Sequence, residues 1–482
     1  MKKVTFVISE ARIHDHLSIM ALSASLKGAG HDTSLVFFPN DPFNKKKIIG
    51  ALREQVPDII AFSFMSCVKD HYIDLGNYIK KHMNVPIIIG GPAATFDKHF
   101  INFEGHPFDA VCVGEGDLAI VDFVESYEKT GQLRAVTNFA VSTADGIENN
   151  IQLRSLIDPL DVLAFPDKKI LYDKDPCLKN SKIKMFMASR GCPYKCTYCF
   201  NHKYNSMYKG KGHIVRHKTV DYFLEEIRQV KEMYPLEGII FEDDIFIMKK
   251  DWLEEFAEKY PSRIGLPYMC YVRPNLVTED IGKLLKNSGC HSARVAIECG
   301  NEDFRNRILK RNLTNEQTIR SCEILHAAGL KVGTINIVGL PTETIDDMKE
   351  TLALNKSCKP EHVSVNMFMP LPGVDLTFFA IEQGLIDANA ASPKSTHHIS
   401  DMKYSEPVRK WLYPFKALFP LMVRIPFIER LFPLLRKLPR LVLKVIDTGF
   451  RIYSNTKCYP PAKFSLRDKL RILRRYIAII SG

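Results

Sequence analysis

No uncharged stretch of this 482-residue chain approaches the ~20 apolar residues that a membrane span needs. The amino terminus, Met1 to Ser9, enters a strand pattern at once and lacks the long apolar region of a signal peptide. The cysteines form no paired framework. Most lie in apolar runs such as Asp109-Ala-Val-Cys-Val113, where a thiol behaves as a small hydrophobe. Together these absences predict a reducing, cytoplasmic setting without disulfides. A G-x-G-x-x-G run after the first strand is missing too, which disfavours a dinucleotide site of that type. Most of the chain also lacks a basic excess. Net charge is +11, but residues 408–482 hold 17 Lys and Arg against 3 Asp and Glu, leaving 49 basic and 52 acidic residues elsewhere. A body so near neutrality argues against a nucleic-acid-binding cleft and predicts no nucleic-acid partner. The length allows two or three domains, and the composition, 46% hydrophobic and 25% charged, is that of a folded protein.

Three of the twelve cysteines stand apart. Cys192, Cys196 and Cys199 lie in Arg190-Gly-Cys-Pro-Tyr-Lys-Cys-Thr-Tyr-Cys-Phe200, at spacing C-x3-C-x2-C. Thiolates so placed select zinc, copper(I) or an iron–sulfur cluster. A structural zinc site wants a fourth ligand, and His202 follows Cys199 too closely to close a tetrahedron. Three thiolates on a cubane cluster would leave one iron open to a small molecule.

The longer string resembles the signature of the radical S-adenosylmethionine (SAM) enzymes, in which an aromatic residue, here Tyr198, precedes the last cysteine. Arg190-Gly191 and Phe200-Asn201 match the family's flanks. The resemblance implies a [4Fe–4S] cluster on Cys192, Cys196 and Cys199, SAM on the open iron near Tyr198 and Phe200, and an external one-electron donor of flavodoxin or ferredoxin type.

Residues 1–140 read as alternating strands and helices of an open parallel sheet. Strand patterns at Val4–Ile8, Thr33–Phe38, Ile59–Phe64, Val85–Ile89 and Ala110–Val113 alternate with helical ones at 16–27 and 71–82. Gly90-Gly91-Pro92 and Gly114-Glu115-Gly116 follow two of the strands, where glycine lets backbone approach a bound group. Beside the cysteine signature, this order resembles the flavodoxin-like cobalamin-binding domain of one large subclass. The resemblance implies cobalamin over the sheet edge, with Gly90, Gly91, Gly114 and Glu115 near it. Many cobalamin proteins carry D-x-H-x-x-G after the first strand. Arg12-Ile-His-Asp-His-Leu17 lacks that aspartate and glycine, and leaves His14 as a candidate lower cobalt ligand without an orienting carboxylate.

Residues 141–183, with Asn149-Asn150, Pro159 and Pro166-Asp167, suit a connecting segment. From 184 to 385, six strand–helix units match the open (β/α)6 barrel of the family, whose chemistry gathers at the carboxyl ends of the strands. Those ends carry the cysteine loop, Glu242-Asp243-Asp244, Arg273, Glu298-Cys299-Gly300, Gly339-Leu-Pro-Thr-Glu343 and Pro370-Leu-Pro-Gly373. Asp243 and Asp244 read either as helix caps or, by resemblance, as contacts to the amino group or ribose of SAM. Val295-Ala-Ile-Glu-Cys-Gly300 is similar to the family's I-G-I-E-S-G run and implies a SAM contact at Glu298. Gly339-Leu-Pro-Thr-Glu-Thr344 resembles its G-L-P-G-E-T turn, with Gly339 and Pro341 beside adenine and Glu343 capping the next helix. Arg294 reads as the partner of an acid, and Lys310-Arg311 as solvated charge or as a pair for the cofactor carboxylate or an acidic substrate.

The two modules together imply a cobalamin-dependent radical SAM enzyme, with methyl transfer to an unactivated carbon as the leading expectation. Ring closure or rearrangement without methyl transfer is the alternative, and a non-catalytic cobalamin or cluster sensor a third. Residues 386–482 form a basic amphipathic region. From Val408 to Lys444 bulky apolar residues alternate with Arg and Lys, broken by five prolines. That pattern suits either the surface of an anionic inner membrane face, with a hydrophobic or lipid-like substrate, or a lid packed on the barrel.

Overall fold

The computed structural model describes residues 1–144, 146–149, 151–387, 402–463 and 474–475. Its first sheet contains parallel strands Lys3–Ile8, Asp32–Phe37, Ile59–Ser63, Ile87–Gly90 and Ala110–Cys112, in the flavodoxin-like order 2-1-3-4-5. Helices cover both faces, which explains why these strands are continuous apolar runs. Phe6 and Ile8 pack with Met20 and Phe123 on one side, while Val7 and Phe62 pack with Leu52 and Tyr72 on the other. The sheet departs from the expected all-parallel form and passes the expected boundary at residue 140. Phe139–Thr143 and Gly146–Glu148 add two antiparallel strands. A tight reversal ending at Gly146 (φ +133°) suffices for such a pair, whereas a parallel strand would need a crossover.

The connecting segment is built into the first domain. Helices Lys168–Tyr172 and Pro176–Lys179 place Ile170, Leu171, Tyr172 and Leu178 in its core. Lys168 donates to the buried Asp15 at 2.8 Å.

The second sheet curls six parallel strands into a partial barrel: Ile183–Phe186, Gly238–Phe241, Tyr268–Val272, Cys290–Glu298, Lys331–Val338 and His362–Met367, adjacent in chain order. Helix starts on its outside are set by side-chain caps. Thr314 and Thr344 form capping boxes with Gln317 and Asp347.

Among the described residues no helix is long and apolar enough to cross a membrane. The carboxyl-terminal region, of which 388–401, 464–473 and 476–482 lie outside the described residues, corrects part of the surface expectation. Helix Glu406–Arg424 is core: Leu412, Phe415, Phe419 and Met422 pack with Met348, Val363 and Val365 of the barrel. Even Lys416 is buried there, paired with Asp447 at 2.6 Å. Helix Arg440–Cys458 and the chain after it then pass beneath the barrel. Ser454 Oγ pairs with His362 Nδ1 (2.9 Å), Ser292 Oγ donates to the carbonyl of Cys458, and the Lys463 amide donates to Glu237 (2.8 Å). Burial of the apolar face against an otherwise open barrel wall outweighs exposure at an interface. Helix Phe427–Leu435 and the outer face of the last helix differ, leaving Phe427, Leu434, Leu441 and Val445 exposed.

Candidate functional site

The chain enters the cysteine loop through a glycine that nothing else can replace. Gly191 has φ +90°, and a Cβ there would lie 2.0 Å from the Ile214 carbonyl oxygen. Asn205 Nδ2 then donates to the Cys192 carbonyl (2.8 Å), and Thr197 Oγ1 to that of Ile308 (2.7 Å), tying the loop to its neighbours. Arg273, at the end of the third barrel strand, sets Nη1 3.9 Å from Cys196 Sγ, with its guanidinium 3.7 Å from the Tyr194 ring centroid. Burial pushes the thiol of Cys192 up to about 11 and that of Cys199 up to about 12. These sulfurs become thiolates only when a metal centre takes them. Among the described residues no three Cys, His, Asp or Glu side chains converge on one point for a single ion. A spread triplet with a guanidinium beside one sulfur fits a cluster, which takes each thiolate on a different iron.

Glu298 closes the fourth strand in a left-handed conformation, φ +69°, at a register shift between Ala296 and Glu298. A non-glycine residue is strained there by about 1–3 kcal/mol, and such strain gathers at functional sites. Tyr198 OH donates to Glu298 Oε1 (3.2 Å), Arg311 Nη1 donates to the Tyr198 oxygen, and Arg311 Nη1 lies 3.7 Å from Glu298 Oε1. Burial raises the Glu298 carboxyl, against the pull of Arg311. The chain thus links the aromatic residue of the cysteine signature to the strand-four acid through an arginine 113 positions away from Tyr198.

Two expectations change here. Asp243 gives both oxygens to the chain entering the cysteine loop: Oδ1 accepts from the Ser189 amide (2.6 Å) and hydroxyl, and Oδ2 from the Ala188 amide (3.3 Å). A buried carboxylate needs such donors, and Asp243 finds them at the entry to the cysteine loop. Asp244 faces open space, accepting from Asn201 Nδ2 at 2.8 Å. Glu343 does not cap the following helix, since Thr344 and Asp347 do. Its Oε2 instead accepts from the amides of Gly339 and Leu340 (3.0 Å to the latter), while Oε1 is buried without a partner. Gly339 (φ +74°) and Pro341 form the turn above it, and Tyr404 OH donates to the Gly339 carbonyl at 2.6 Å.

The domains meet at a buried charge cluster. Arg190, next to the signature, pairs with Asp117 (2.8 and 3.0 Å) and lies 3.3 Å from Glu115. Arg216 donates to both Glu115 oxygens, at 2.8 and 3.0 Å. Glu115, expected beside cobalamin, gives its oxygens to domain docking while it borders the cleft between the domains. Gly114 (φ +82°) allows the same contact: a Cβ there would lie 2.0 Å from Tyr208 OH, which bonds the Glu115 amide at 2.9 Å. Phe96 of the first domain stacks on Phe200 of the second, centroids 4.4 Å apart. Asp117, Arg216 and Tyr208 carried no sequence signal of their own, beyond the acid two places after Glu115.

Two adjoining clefts lie between the domains, sharing Leu17, Ser18, Ser63, Pro92, Met187 and Glu242. The first, about 430 Å³, runs past Gly90, Gly91 and Gly114 and reaches down to Phe6, Ala61 and Ile88 between sheet and helix. Gly91 (φ +88°) is pressed against Phe64 backbone, 3.1 Å from a Cβ position. A groove with a glycine rim and an apolar depth fits a large cofactor with a buried tail. The second cleft, about 580 Å³, opens from Arg12 and His14 into the barrel interior. Burial and the charge of Arg12 lower the His14 imidazole to about 4, so it is neutral at physiological pH, as a metal ligand must be.

Comparisons with known proteins agree with this geometry. Residues 5–124 match the B12 binding domain model, and residues 187–354 the radical SAM superfamily model. An uncharacterized methyltransferase of Pyrococcus horikoshii is 25% identical over 372 residues, covering 76% of this chain and 79% of its own length. The hopanoid C-3 methylase of Methylococcus capsulatus is 24% identical over 375 residues, covering 74% of this chain and 67% of its own. The structure of the cobalamin-dependent SAM radical enzyme OxsB, with aqua-cobalamin and SAM bound, superposes at TM-score 0.68 and 15% identity, covering 100% of this chain and 79% of that one.

Proposed function

The chain joins a cobalamin-binding domain to a radical SAM domain, as class B radical SAM enzymes do, and on that premise we propose that it methylates an unactivated carbon of a hydrophobic substrate. Its cofactors are a [4Fe–4S] cluster, SAM and cobalamin. When bound, the cluster and SAM supply hydrogen abstraction, and cobalamin supplies the methyl group. The observation that carries the reading is the adjacency of the two clefts: the glycine-rimmed groove opens directly into the barrel interior at shared residues. Methyl donor, hydrogen acceptor and substrate carbon must meet within contact distance and away from water, and a cobalamin groove that opens into the barrel interior supports such a meeting.

In this reading Cys192, Cys196 and Cys199 hold the cluster, with Arg273 offsetting thiolate charge. Tyr198, Glu298 and Arg311 fix one side of the SAM site, Phe200 and Asp244 another, and Gly339 and Pro341 leave room for its base. Gly90, Gly91 and Gly114 let backbone lie against cobalamin, and His14 is the candidate lower cobalt ligand, testable by nitrogen coupling in the paramagnetic resonance of the cobalamin-loaded protein. An external donor of flavodoxin or ferredoxin type supplies the electron. A hydrophobic substrate is supported by the methionine-rich wall of the second cleft. Contact with an anionic membrane surface is supported by exposed Phe427, Leu434, Leu441 and Val445 interleaved with exposed Arg424, Arg430, Lys437 and Arg440.

The test is anaerobic turnover of lipid extracts with methyl-labelled SAM and a reductant, read by mass spectrometry. Label on an extract component is the expected result. Deoxyadenosine formed without label transfer favours ring closure or rearrangement, and no SAM cleavage at all would leave a sensor.

A further inference from the structure

The barrel cleft holds a buried guanidinium whose nearest partners are two tyrosines, with no carboxylate at ion-pair distance among the described residues. Arg294 projects from the fourth strand, four residues before Glu298, which places it roughly 13 Å deeper along the strand. Its Nε and Nη2 are closed off from solvent and have no hydrogen-bond partner. The ring centroids of Tyr459 and Tyr271 lie 5.3 and 5.9 Å from its guanidinium carbon and flank it. Tyr459 comes from the carboxyl-terminal segment that closes the barrel from beneath, so the tail supplies part of the floor.

The other charged groups of the cleft do not answer this guanidinium. Glu10 pairs with Arg12, and Asp15 is held by Lys168 at 2.8 Å and Tyr172 at 3.0 Å. Glu242 faces the same space and is attracted by Arg294, but among the described residues the two do not come within ion-pair distance. A buried guanidinium with unused donors costs several kcal/mol unless something supplies acceptors. Its planar fork matches carboxylate or phosphate oxygens. Part of the barrel side of the wall is apolar and adaptable: Met185, Met187, Ile240 and Met269.

We propose that the substrate is an amphipathic anion, its carboxylate or phosphate held by Arg294 at the cleft floor and its apolar body lying along the methionine wall toward the cofactors. This rests on the barrel cleft being the substrate site of the proposed methyl transfer. It adds that the substrate carries one anionic oxygen group, held at the cleft floor away from the reacting carbon.

The test uses the full chain with reconstituted cluster and bound hydroxocobalamin, titrated anaerobically with octanoate, octyl phosphate and 1-octanol. At least one of the two anions is expected to bind ten or more times tighter than the alcohol, and the tighter one identifies the group. Arg294→Gln should erase that preference while leaving octanol affinity unchanged. Arg294→Lys, which keeps charge but not the fork, should retain only part of it. Iron and corrin content verify that each variant is folded; if Arg294→Gln is not, the lysine variant decides. No anion preference in the wild type, or full preference in the lysine and glutamine variants that fold, overturns the proposal. Label transfer that persists without anion preference defeats this inference alone, and anion preference without label transfer defeats only the methyl-transfer reading.

Discussion

Arg190 and Asp117 form a two-pronged ion pair across the domain boundary, Nη1 and Nη2 lying 2.8 and 3.0 Å from the two carboxylate oxygens. Arg190 stands two residues before the first cluster cysteine, and Asp117 three after Gly114 of the cobalamin-binding domain. The pair therefore ties the glycine rim of the first cleft to the cysteine loop. Burial disfavours the Asp117 carboxylate, but Arg190 more than compensates and holds it below the ordinary range.

Removing one partner from such a pair leaves a buried charge unanswered. Asp117→Asn is expected to lower stability by about 2–3 kcal/mol, at or below the low end of the 3–5 kcal/mol range for fully buried pairs, because Arg190 keeps some solvent contact and Glu115 nearby. Denaturant unfolding of the apoprotein measures it. A change within error would reduce the pair to a surface contact.

Ala21 lines the first cleft opposite the glycine rim. Ala21→Trp should fill the groove and weaken hydroxocobalamin binding at least tenfold, while iron content after reconstitution stays at about four per chain. Unchanged corrin uptake, followed by absorbance, would move the cobalamin tail elsewhere.

Glu343 offers a pH test. Burial raises its carboxyl to about 8, against the lowering effect of the Leu340 and Gly339 amides. A carboxyl whose folded value is raised binds its proton more tightly than the unfolded chain does. Its stabilisation is complete below about pH 4.5 and is lost as pH climbs through about 8. Glu343→Gln, always neutral, should flatten the fall in thermal midpoint between pH 5 and 8. Parallel curves for the two proteins would mean the carboxyl is ionised in the fold.

The exposed apolar and basic face of the last two helices should bind vesicles of anionic lipid. Each basic residue near the surface contributes about 1 kcal/mol, weakened by salt. Leu434→Glu with Leu441→Glu should abolish co-sedimentation at low salt without loss of the cluster. Wild-type protein that ignores the vesicles would assign this face to another use.

Much of the site was legible because its signals are local. The C-x3-C-x2-C spacing, the apolar strands and the glycines at their ends depend on residues a few positions apart, so the order of the cobalamin-binding and radical SAM domains and all six barrel strands could be read directly. The antiparallel hairpin after residue 140 was not, because its pairing depends on a neighbouring edge and not on its own pattern. Nor could the roles of Glu115, Asp243 and Glu343 be read. Glu115 and Asp243 give oxygens to donors that only folding brings near, Arg216 and Ser189, while Glu343 turns back on the amides of Gly339 and Leu340 instead of forward onto the helix.

The carboxyl-terminal segment shows the division most plainly. Its alternation of Leu, Phe, Arg and Lys established that amphipathic helices form, and could not say against what they would pack. The open side of the barrel decided that helix Glu406–Arg424 is core and brought Tyr459 beneath Arg294, while helix Phe427–Leu435 kept its apolar side exposed. Amphipathicity is a property of spacing along one helix, whereas the choice between protein, water and lipid depends on which apolar surface elsewhere in the chain remains uncovered.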